Sequence, residues 1–333
     1  MQPKAKHIPL SDDPALAEVM ERYAVAVTDE VMELIDENDA ADPIAKQYLP
    51  TAEELKTTPD ELEDPIGDDA HSPVKGIVHR YPDRVLLKAV HVCAVYCRFC
   101  FRREKVGPGS EMLNREELQK ALAYIRNTPA IWEVILTGGD PFVLSPRRLR
   151  EIMDALNEIP HVQVIRFHTR VPVADPSRVT DELVGALQSD KAVYIVFHAN
   201  HPRELTDKVK AVAQKFVKAG IPLLSQSTLL KGVNNDAKVL EQLFRAFTAM
   251  KVKPYYLHHP DLAPGTGHFR LTIKEGQELT AQLQGKMSGI AQPHYMLDIP
   301  GGFGKVPVSR QWIAETEDGY DVTDFKGETH KYK

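Results

Sequence analysis

Short runs of apolar and β-branched residues recur along the chain after residue 84. The runs are VLLKAVHV from Val85, IWEVIL from Ile131, VQVIRFH from Val162, VYIVFH from Val193, PLLSQS from Pro222 and VKPYYL from Val252. From the second run on, they begin 31, 31, 29 and 30 residues apart. Continuous apolar runs of this length are typical of strands that are buried on both faces of a sheet.

Helical patterns separate these strands, and three helices are predicted over residues 146–157, 207–219 and 236–250. Ser145 followed by Pro146 is a typical N-cap and first helical residue, and Gly220 is a typical helix stop. Strand–helix units with a period of about 30 residues indicate right-handed crossovers and a parallel sheet. The chain is therefore predicted to have an α/β fold, either an open sheet or a partial (β/α)6 barrel.

Polar clusters follow each of the six predicted strands. They are the loop that begins at Cys93, Thr137–Asp140, His168–Arg170, His198, Gln226 and His258–Asp261. Because the carboxyl ends of parallel strands meet at one edge of a sheet or barrel, these clusters are expected to converge. Their convergence predicts an active site at that edge.

All three cysteines of the chain lie within the segment CAVYCRFCFRR, which begins at Cys93. A disulfide framework does not fit three clustered thiols. A structural zinc site usually takes four ligands from two separated pairs, and the nearest candidate for a fourth ligand, His91, is predicted to lie within the strand. Three cysteine ligands favour a [4Fe–4S] cluster with one iron open to a small molecule. Zinc and inert buried thiols are the alternatives.

The spacing Cys93-x3-Cys97-x2-Cys100, with Phe99 before the last cysteine, resembles the signature of the radical S-adenosylmethionine (radical SAM) enzymes. The turn TGGD from Thr137 resembles the Gly-Gly-acidic turn of that family. The resemblance implies a partial (β/α)6 TIM-like barrel, a [4Fe–4S] cluster on the three cysteines, and S-adenosyl-L-methionine on its open iron. It also implies a one-electron reductant, such as flavodoxin or ferredoxin, that converts this cofactor into a deoxyadenosyl radical. The glycines of the turn are expected to let the backbone approach the methionine amine.

Two further motifs indicate pyridoxal 5'-phosphate. The segment DIPGGFGKVP begins at Asp298 and contains Lys305, and HRYPDR begins at His79 just before the first strand. A glycine-rich turn with a surface lysine is the ordinary interpretation of the first motif, which lacks the strand and helix of a phosphate-binding P-loop. Arg80 and Arg84 are suited to clamp a phosphate. A Schiff-base lysine with a separate phosphate clamp is what pyridoxal phosphate requires.

Together these motifs resemble the lysine 2,3-aminomutase family. The matching segments are SPVKGIVHRYPDRVLL, the cysteine loop, YIRNTP, IPHVQVIR, NHPRELT, KPYYLHHPDLAPGTGHFR and DIPGGFGKVPV. The resemblance implies an isomerase that interconverts L-lysine and beta-lysine by radical 1,2-amino migration. The alternatives are a 2,3-aminomutase for another amino acid and the lysine aminomutase associated with elongation factor P. A non-catalytic iron–sulfur electron-transfer protein is a remote alternative, because such a protein needs no anchor for pyridoxal phosphate.

The same resemblance implies the roles of individual residues. Lys305 is expected to bind pyridoxal phosphate, with Arg80, Tyr81 and Arg84 around its ring and phosphate. Arg102 is expected to bind the substrate α-carboxylate, and Asp261 and Asp298 are expected to bind the ε-ammonium of lysine, since two carboxylates favour a buried charge. The residues expected to bind S-adenosylmethionine are Gly138, Gly139, Asp140 and Gln226, and His198 is a further expected cofactor-binding residue.

Charge is unevenly distributed along the chain. Residues 1–73 hold 5 Lys or Arg and 19 Asp or Glu, and the remainder holds 36 and 28. The predicted parts are an acidic, solvated helical arm (1–71) that packs on a partner subunit, a radical SAM partial barrel (72–290) and a C-terminal segment with Lys305 (291–333). A homo-oligomer, dimer or tetramer, is therefore expected.

Composition also bears on the partners and on the location of the protein. The acidic arm argues against nucleic-acid binding, and the basic remainder suits anionic small molecules. The sequence contains no run of 18 apolar residues and no apolar signal core, so neither membrane insertion nor secretion is expected. Three clustered cysteines without a disulfide framework indicate a reducing, cytoplasmic location.

Overall fold

The fold is built on one sheet of nine strands that follow each other in chain order. The computed structural model describes residues 13–107 and 112–333. The strands are β1 (Ile77–Tyr81), β2 (Arg84–Val90), β3 (Glu133–Gly138), β4 (Val164–Thr169), β5 (Ala192–His198), β6 (Leu223–Thr228), β7 (Val252–His258), β8 (His294–Ile299) and β9 (Gly304–Pro307). Strands β2 to β8 are parallel, and β1 and β9 pair antiparallel at the two edges. The six predicted strands are β2 to β7, which confirms the predicted α/β barrel, and β8 adds a seventh parallel strand.

Helices cover the outer face of the sheet, and three short helices lie in the arm. They are α1 (Pro14–Arg22), α2 (Asp29–Met32), α3 (Ala45–Tyr48), α4 (Arg115–Arg126), α5 (Pro146–Asn157), α6 (Val171–Ala174), α7 (Asp181–Ala186), α8 (Asp207–Lys218), α9 (Ala237–Ala249) and α10 (Ile273–Ala281). The three predicted helices are present as α5, α8 and α9. The Ser145 hydroxyl caps α5 by accepting the N–H of Arg148 at 3.2 Å, and Gly220 ends α8 with a φ of 75°.

The chain ends in a separate antiparallel sheet of strands β10 (Ile313–Thr316), β11 (Gly319–Thr323) and β12 (Thr329–Tyr332). Among the helices of the described residues, none combines the length and the apolar composition that crossing a membrane requires.

Side chains join the two edges of the nine-stranded sheet, which share no backbone pairing within the described residues. The hydroxyl of Tyr81 on β1 accepts the backbone N–H of Lys305 on β9 at 2.8 Å. The guanidinium of Arg80 on β1 donates to both carboxylate oxygens of Asp298 on β8, at 3.0 and 3.3 Å. The two sequence motifs that indicate pyridoxal phosphate therefore meet where the barrel closes.

The described part of the N-terminal arm, residues 13–71, packs on the chain's own barrel. An apolar cluster joins the two, and its buried members are Val27, Val31, Ile44, Tyr48, Val95 and Ala174. Two fully buried acids of the arm pair with barrel arginines: Glu54 pairs with Arg98 at 2.5 Å and Asp42 pairs with Arg203 at 2.6 Å.

These contacts show that the described part of the arm packs on the chain's own barrel, while its packing on a partner subunit stays a prediction. Asp42, Glu54 and Asp68 are buried and paired with cations of the barrel, whereas most other acids of the described arm are exposed. Residues 1–12 of the predicted arm lie outside the described residues, and the division of the chain at residues 71 and 290 stays a prediction.

Candidate active site

A cavity of about 610 Å³ lies inside the barrel. Every site residue that the sequence predicts lines it, namely Arg80, Tyr81, Arg84, Cys93, Cys97, Cys100, Arg102, Gly138, Gly139, Asp140, His198, Gln226, Asp261, Asp298 and Lys305. The volume is typical of pockets that enclose small-molecule ligands. The predicted convergence of these residues is therefore confirmed, while their individual roles remain predictions.

The cysteine loop follows β2 and is held in place by the N-terminal arm. The backbone N–H of Tyr96 donates to the carbonyl of Ala26 at 3.1 Å, and that of Arg98 donates to Gln47 at 2.8 Å. Burial raises the pKa of all three thiols, that of Cys100 to about 11. Three thiolates in such a position need the positive charge of a bound metal. The loop is thus suited to hold a metal cluster.

The turn of Gly138 and Gly139 lies against the segment that leads into the cysteine loop. The N–H of Gly139 donates to the carbonyl of Val90 at 2.7 Å, and the N–H of Asp140 donates to Val92 at 3.0 Å. A Cβ on Gly139 would clash with the backbone of Val92. The sequence predicted a close approach to S-adenosylmethionine, whereas the close approach in the structure is to this neighbouring backbone. Contact of the turn with the cofactor stays a prediction.

The Asp140 side chain ties β3 to the turn after β4. Its carboxylate accepts the Thr169 hydroxyl at 2.7 Å and the N–H groups of Phe142, Arg170 and Val171 at 3.0, 2.6 and 3.1 Å. Burial raises the pKa of Asp140, and these hydrogen bonds oppose the rise. The carboxylate is thus engaged by four protein groups, and a role of Asp140 in binding the cofactor stays a prediction.

Lys305 and Asp298 are direct partners in the antiparallel pair of β8 and β9. Side chains of residues directly opposite each other in such a pair lie on the same face of the sheet. The turn between the strands uses Gly301 and Gly302, whose φ values of 86° and 88° suit glycine. The Lys305 ammonium donates to the Asp298 carboxylate, which also accepts the two bonds from Arg80. Asp298 therefore binds two cations.

The pKa values of Lys305 and Asp261 are both displaced toward neutrality. Burial lowers the pKa of Lys305 to about 8. Arg80 and Arg102 also lower it, whereas Asp261 acts to raise it. Burial raises the pKa of Asp261 to about 6, although Lys305, Arg102 and Arg80 oppose the rise. A lowered pKa increases the fraction of the neutral amine, which is the form that attacks carbonyl carbons.

Arg102 is anchored by an acid of the N-terminal arm. Its Nε donates to Asp68 at 2.8 Å, and Lys88 donates to the same carboxylate oxygen at 3.3 Å. Burial acts to raise the pKa of Asp68, but Arg102 and Lys88 hold it well below its usual range. The bond through Nε leaves the two Nη groups of Arg102 for a second carboxylate, as the binding of an amino acid requires.

Three partly buried histidines, His168, His198 and His258, line another part of the cavity wall. Burial lowers the pKa of each, that of His258 to about 3, so all three are neutral at pH 7. The Nε2 atoms of His168 and His198 have no hydrogen-bond partner among the described residues. His198 and Gln226 are register partners on β5 and β6. Buried polar atoms that face a cavity without a protein partner indicate that a ligand supplies the partner.

Arg84 lies at the amino end of β2, whereas the cysteines follow the carboxyl end of the same strand. The Arg84 guanidinium stacks 3.8 Å from the ring centre of Tyr81 and pairs with Asp83 at 2.7 Å. Because both Arg84 and the cysteines line the cavity, it runs the length of β2, roughly 20 Å at about 3.3 Å per residue. A cavity of this length has room for two cofactors placed end to end.

The sequence did not indicate the buried charged residues Asp68, Lys88 and Glu204 near the site. It indicated Arg170 but not the residue that pairs with it. The Asp68–Arg102 and Arg170–Glu204 pairs are each separated by 34 residues, so no local spacing reveals them. The one available signal was the acid excess of the arm, which complements an arginine-rich cysteine loop.

Comparison with known proteins agrees with this geometry. Residues 87–243 match the family model of the Radical SAM superfamily. With the barrel and the cysteine loop, this match defines a radical SAM enzyme, the class that holds a [4Fe–4S] cluster and S-adenosylmethionine. The chain is 40% identical over 325 residues to L-lysine 2,3-aminomutase of Clostridium subterminale, covering 97% of this chain and 78% of that protein. It belongs to the lysine 2,3-aminomutase family and is an isomerase.

Other relatives in this family differ in the substrate that they are named for. L-lysine 2,3-aminomutase of Methanococcus maripaludis is 42% identical over 292 residues, covering 87% of this chain and 67% of that protein. Glutamate 2,3-aminomutase of Clostridioides difficile is 37% identical over 305 residues, covering 92% of this chain and 72% of that protein. The choice of amino acid must therefore be derived from the site.

Proposed function

We propose that the protein interconverts L-lysine and beta-lysine by moving an amino group between adjacent carbons, with pyridoxal phosphate bound at Lys305. The observation that carries the proposal is that Lys305, Asp298, Asp261 and Arg102 line the same cavity as the three cysteines. An amino acid with a distal ammonium matches this charge pattern: a cation for its α-carboxylate and two acids for its far end.

Pyridoxal phosphate fits the residues present. Lys305 offers a partly buried amine with a pKa of about 8, and Arg80, Tyr81 and Arg84 would surround the ring and phosphate. When bound, the cofactors supply a carbon-centred radical from S-adenosylmethionine on the cluster and a π-system on pyridoxal phosphate through which nitrogen can migrate. The neutral histidines offer hydrogen-bond partners without adding charge to a cavity that already holds several cations.

Asp298 is proposed to change partners during the reaction cycle. The Lys305 ammonium pairs with the Asp298 carboxylate, and the ε-ammonium of a substrate would take the same place. The Lys305 amine would be drawn away from Asp298 when it holds pyridoxal phosphate. The acid, still held by Arg80, is then able to pair with the substrate ammonium, together with Asp261.

At the other end of the substrate, Arg102 would bind the α-carboxylate through its Nη groups while Asp68 holds the guanidinium in position. Burial of these charges excludes water from the reacting carbons, which protects a radical from quenching. We further propose a cytoplasmic location, because cluster thiolates require a reducing compartment. We also propose that a flavodoxin or ferredoxin supplies the electron and that the protein is a homo-oligomer.

The test is a substrate comparison with enzyme reconstituted without oxygen. L-lysine is expected to give beta-lysine and to be turned over better than L-glutamate, whose distal carboxylate Asp261 and Asp298 would repel, and better than L-alanine. Asp261→Asn should reduce kcat/KM for lysine by on the order of 10², because a charge-assisted bond contributes roughly 1.5–3 kcal/mol. Its cleavage of S-adenosylmethionine without substrate should persist. Asp318→Asn, at an exposed acid of the C-terminal sheet, is the matched control.

Preference for glutamate or alanine over lysine would contradict the substrate assignment and leave the radical chemistry intact.

A further inference from the structure

A buried arginine beside the cysteine loop has no part in the proposed amino transfer. Arg170 follows β4, and its Nη1 donates to the sulfur of Cys97 at 2.8 Å. Its Nη2 donates to Glu204 at 2.7 Å and to the side-chain oxygen of Gln47 at 2.7 Å. The backbone N–H of Arg170 donates to Asp140 at 2.6 Å. Both the guanidinium and its backbone are therefore fixed relative to the sulfur.

The carboxylate that holds Arg170 is itself held from several sides. Glu204 accepts the Tyr48 hydroxyl at 3.1 Å, the Gln47 amide at 3.2 Å and the backbone N–H groups of Asn200 and His201 at 2.7 and 2.8 Å. Arg170 is 6% exposed and Glu204 is 1% exposed. This network spans the N-terminal arm, the barrel and the cysteine loop, and it places one fixed cation next to one sulfur.

We infer that Arg170 is a positioning and tuning residue for the iron–sulfur cluster, which raises the reduction potential of the cluster through a charge-assisted N–H···S bond to Cys97. Reduction adds one electron, supplied by the external one-electron donor, and makes the cluster more negative. A cation held against a ligating sulfur stabilises the reduced form more than the oxidised form. This inference rests on the proposed assignment of Cys97 as a cluster ligand.

Glu204 is expected to lower the reduction potential by its charge, while its hydrogen bonds hold Arg170 in place. Its negative charge offsets part of the charge of Arg170, and its geometry keeps the guanidinium on the sulfur. Charge removal at the two positions therefore shifts the potential in opposite directions. Arg170→Met should lower it, and Glu204→Gln, which removes the charge at nearly the same shape but keeps only one of the two acceptor oxygens, should raise it. General loosening of the network would not produce shifts of opposite sign.

The experiment is a potentiometric titration monitored by electron paramagnetic resonance, on anaerobically reconstituted enzyme without S-adenosylmethionine. The variants are Arg170→Met, Arg170→Lys and Glu204→Gln, with iron and sulfide content measured for each. Arg203→Met is the matched control, because it breaks another ion pair between barrel and arm, to Asp42, and the potential should stay at the wild-type value.

The expected order of potentials is Arg170→Met lowest, Arg170→Lys next, then wild type, with Glu204→Gln highest. Unchanged potentials, or shifts of the same sign at Arg170 and Glu204, would overturn the inference. Weaker binding of S-adenosylmethionine at an unchanged potential would also overturn it. If Arg170→Met does not assemble a cluster, the signs of the Arg170→Lys and Glu204→Gln shifts decide. Wild-type enzyme that assembles no cluster would instead refute the proposed function.

Discussion

At the scale of the residue, the environment of Lys305 decides how the site can work. Burial lowers its pKa from 10.5 to about 8. Roughly a tenth of the side chain is then neutral at pH 7, against well under a thousandth for a lysine with an ordinary pKa. Only the neutral amine attacks a carbonyl carbon, so the cavity prepares this side chain for a covalent role.

Attachment of pyridoxal phosphate to the apoprotein should therefore become faster as pH rises through about 8 and should level off above it. The rate is measured by borohydride trapping at intervals of pH. Asp298→Asn removes an anion beside the ammonium, so the pKa of Lys305 should fall and the inflection should move to lower pH. An inflection near 10.5, or an upward shift in the variant, would contradict this account of the lysine.

At the scale of the element, apolar runs identify the strands that are buried on both faces and miss the strands at or near the edges. Strands β2 to β7 follow the predicted runs closely. The segment HYMLDI of β8 mixes apolar with polar residues, so its pattern is ambiguous. Strands β1 and β9 are short edge strands whose position depends on the closing contacts of Arg80 and Tyr81.

The glycine turn after β3 provides a test at the same scale. Gly139→Ala should lower the melting temperature and the iron content, because the new Cβ would clash with the backbone at Val92 just before the cysteine loop. The loss is expected to be about 1–3 kcal/mol, the cost of overpacking. Gly185→Ala is the matched control, since a Cβ at that position of α7 meets nothing within 4 Å. That variant should keep its cluster and gain up to about 1 kcal/mol in helix stability.

Equal effects of the two substitutions would show that the turn does not support the cysteine loop.

At the scale of the whole molecule, a few buried ion pairs join the acidic arm to the barrel. The arm holds the cysteine loop through backbone bonds to Tyr96 and Arg98, and it brings Asp68 to Arg102. The sequence predicts the unequal charge but not the pairing, because each partner is chosen by the tertiary fold. For the same reason Arg170 was placed correctly at a strand end while its contacts with Cys97 and Glu204 were missed.

The link from arm to substrate is tested with Asp68→Asn. Loss of the anionic partner should let the Arg102 guanidinium move, and a displacement of about 1 Å in a positioning group costs up to about 10² in rate. We expect KM for lysine to rise by about tenfold or more, with little change in S-adenosylmethionine cleavage in the absence of substrate. An unchanged KM would mean that Asp68 serves only the stability of the arm.

The central claim is that the cavity which holds the cluster also anchors pyridoxal phosphate on Lys305, and the most direct measurement locates that bond. Enzyme loaded with the cofactor is reduced with borohydride, and the modified peptide is mapped by mass spectrometry. The modification should lie on Lys305, disappear in Lys305→Ala and persist in Lys88→Met, because Lys88 is a buried lysine already paired with Asp68. A modified Lys88, or a modification that survives in Lys305→Ala, would contradict the account.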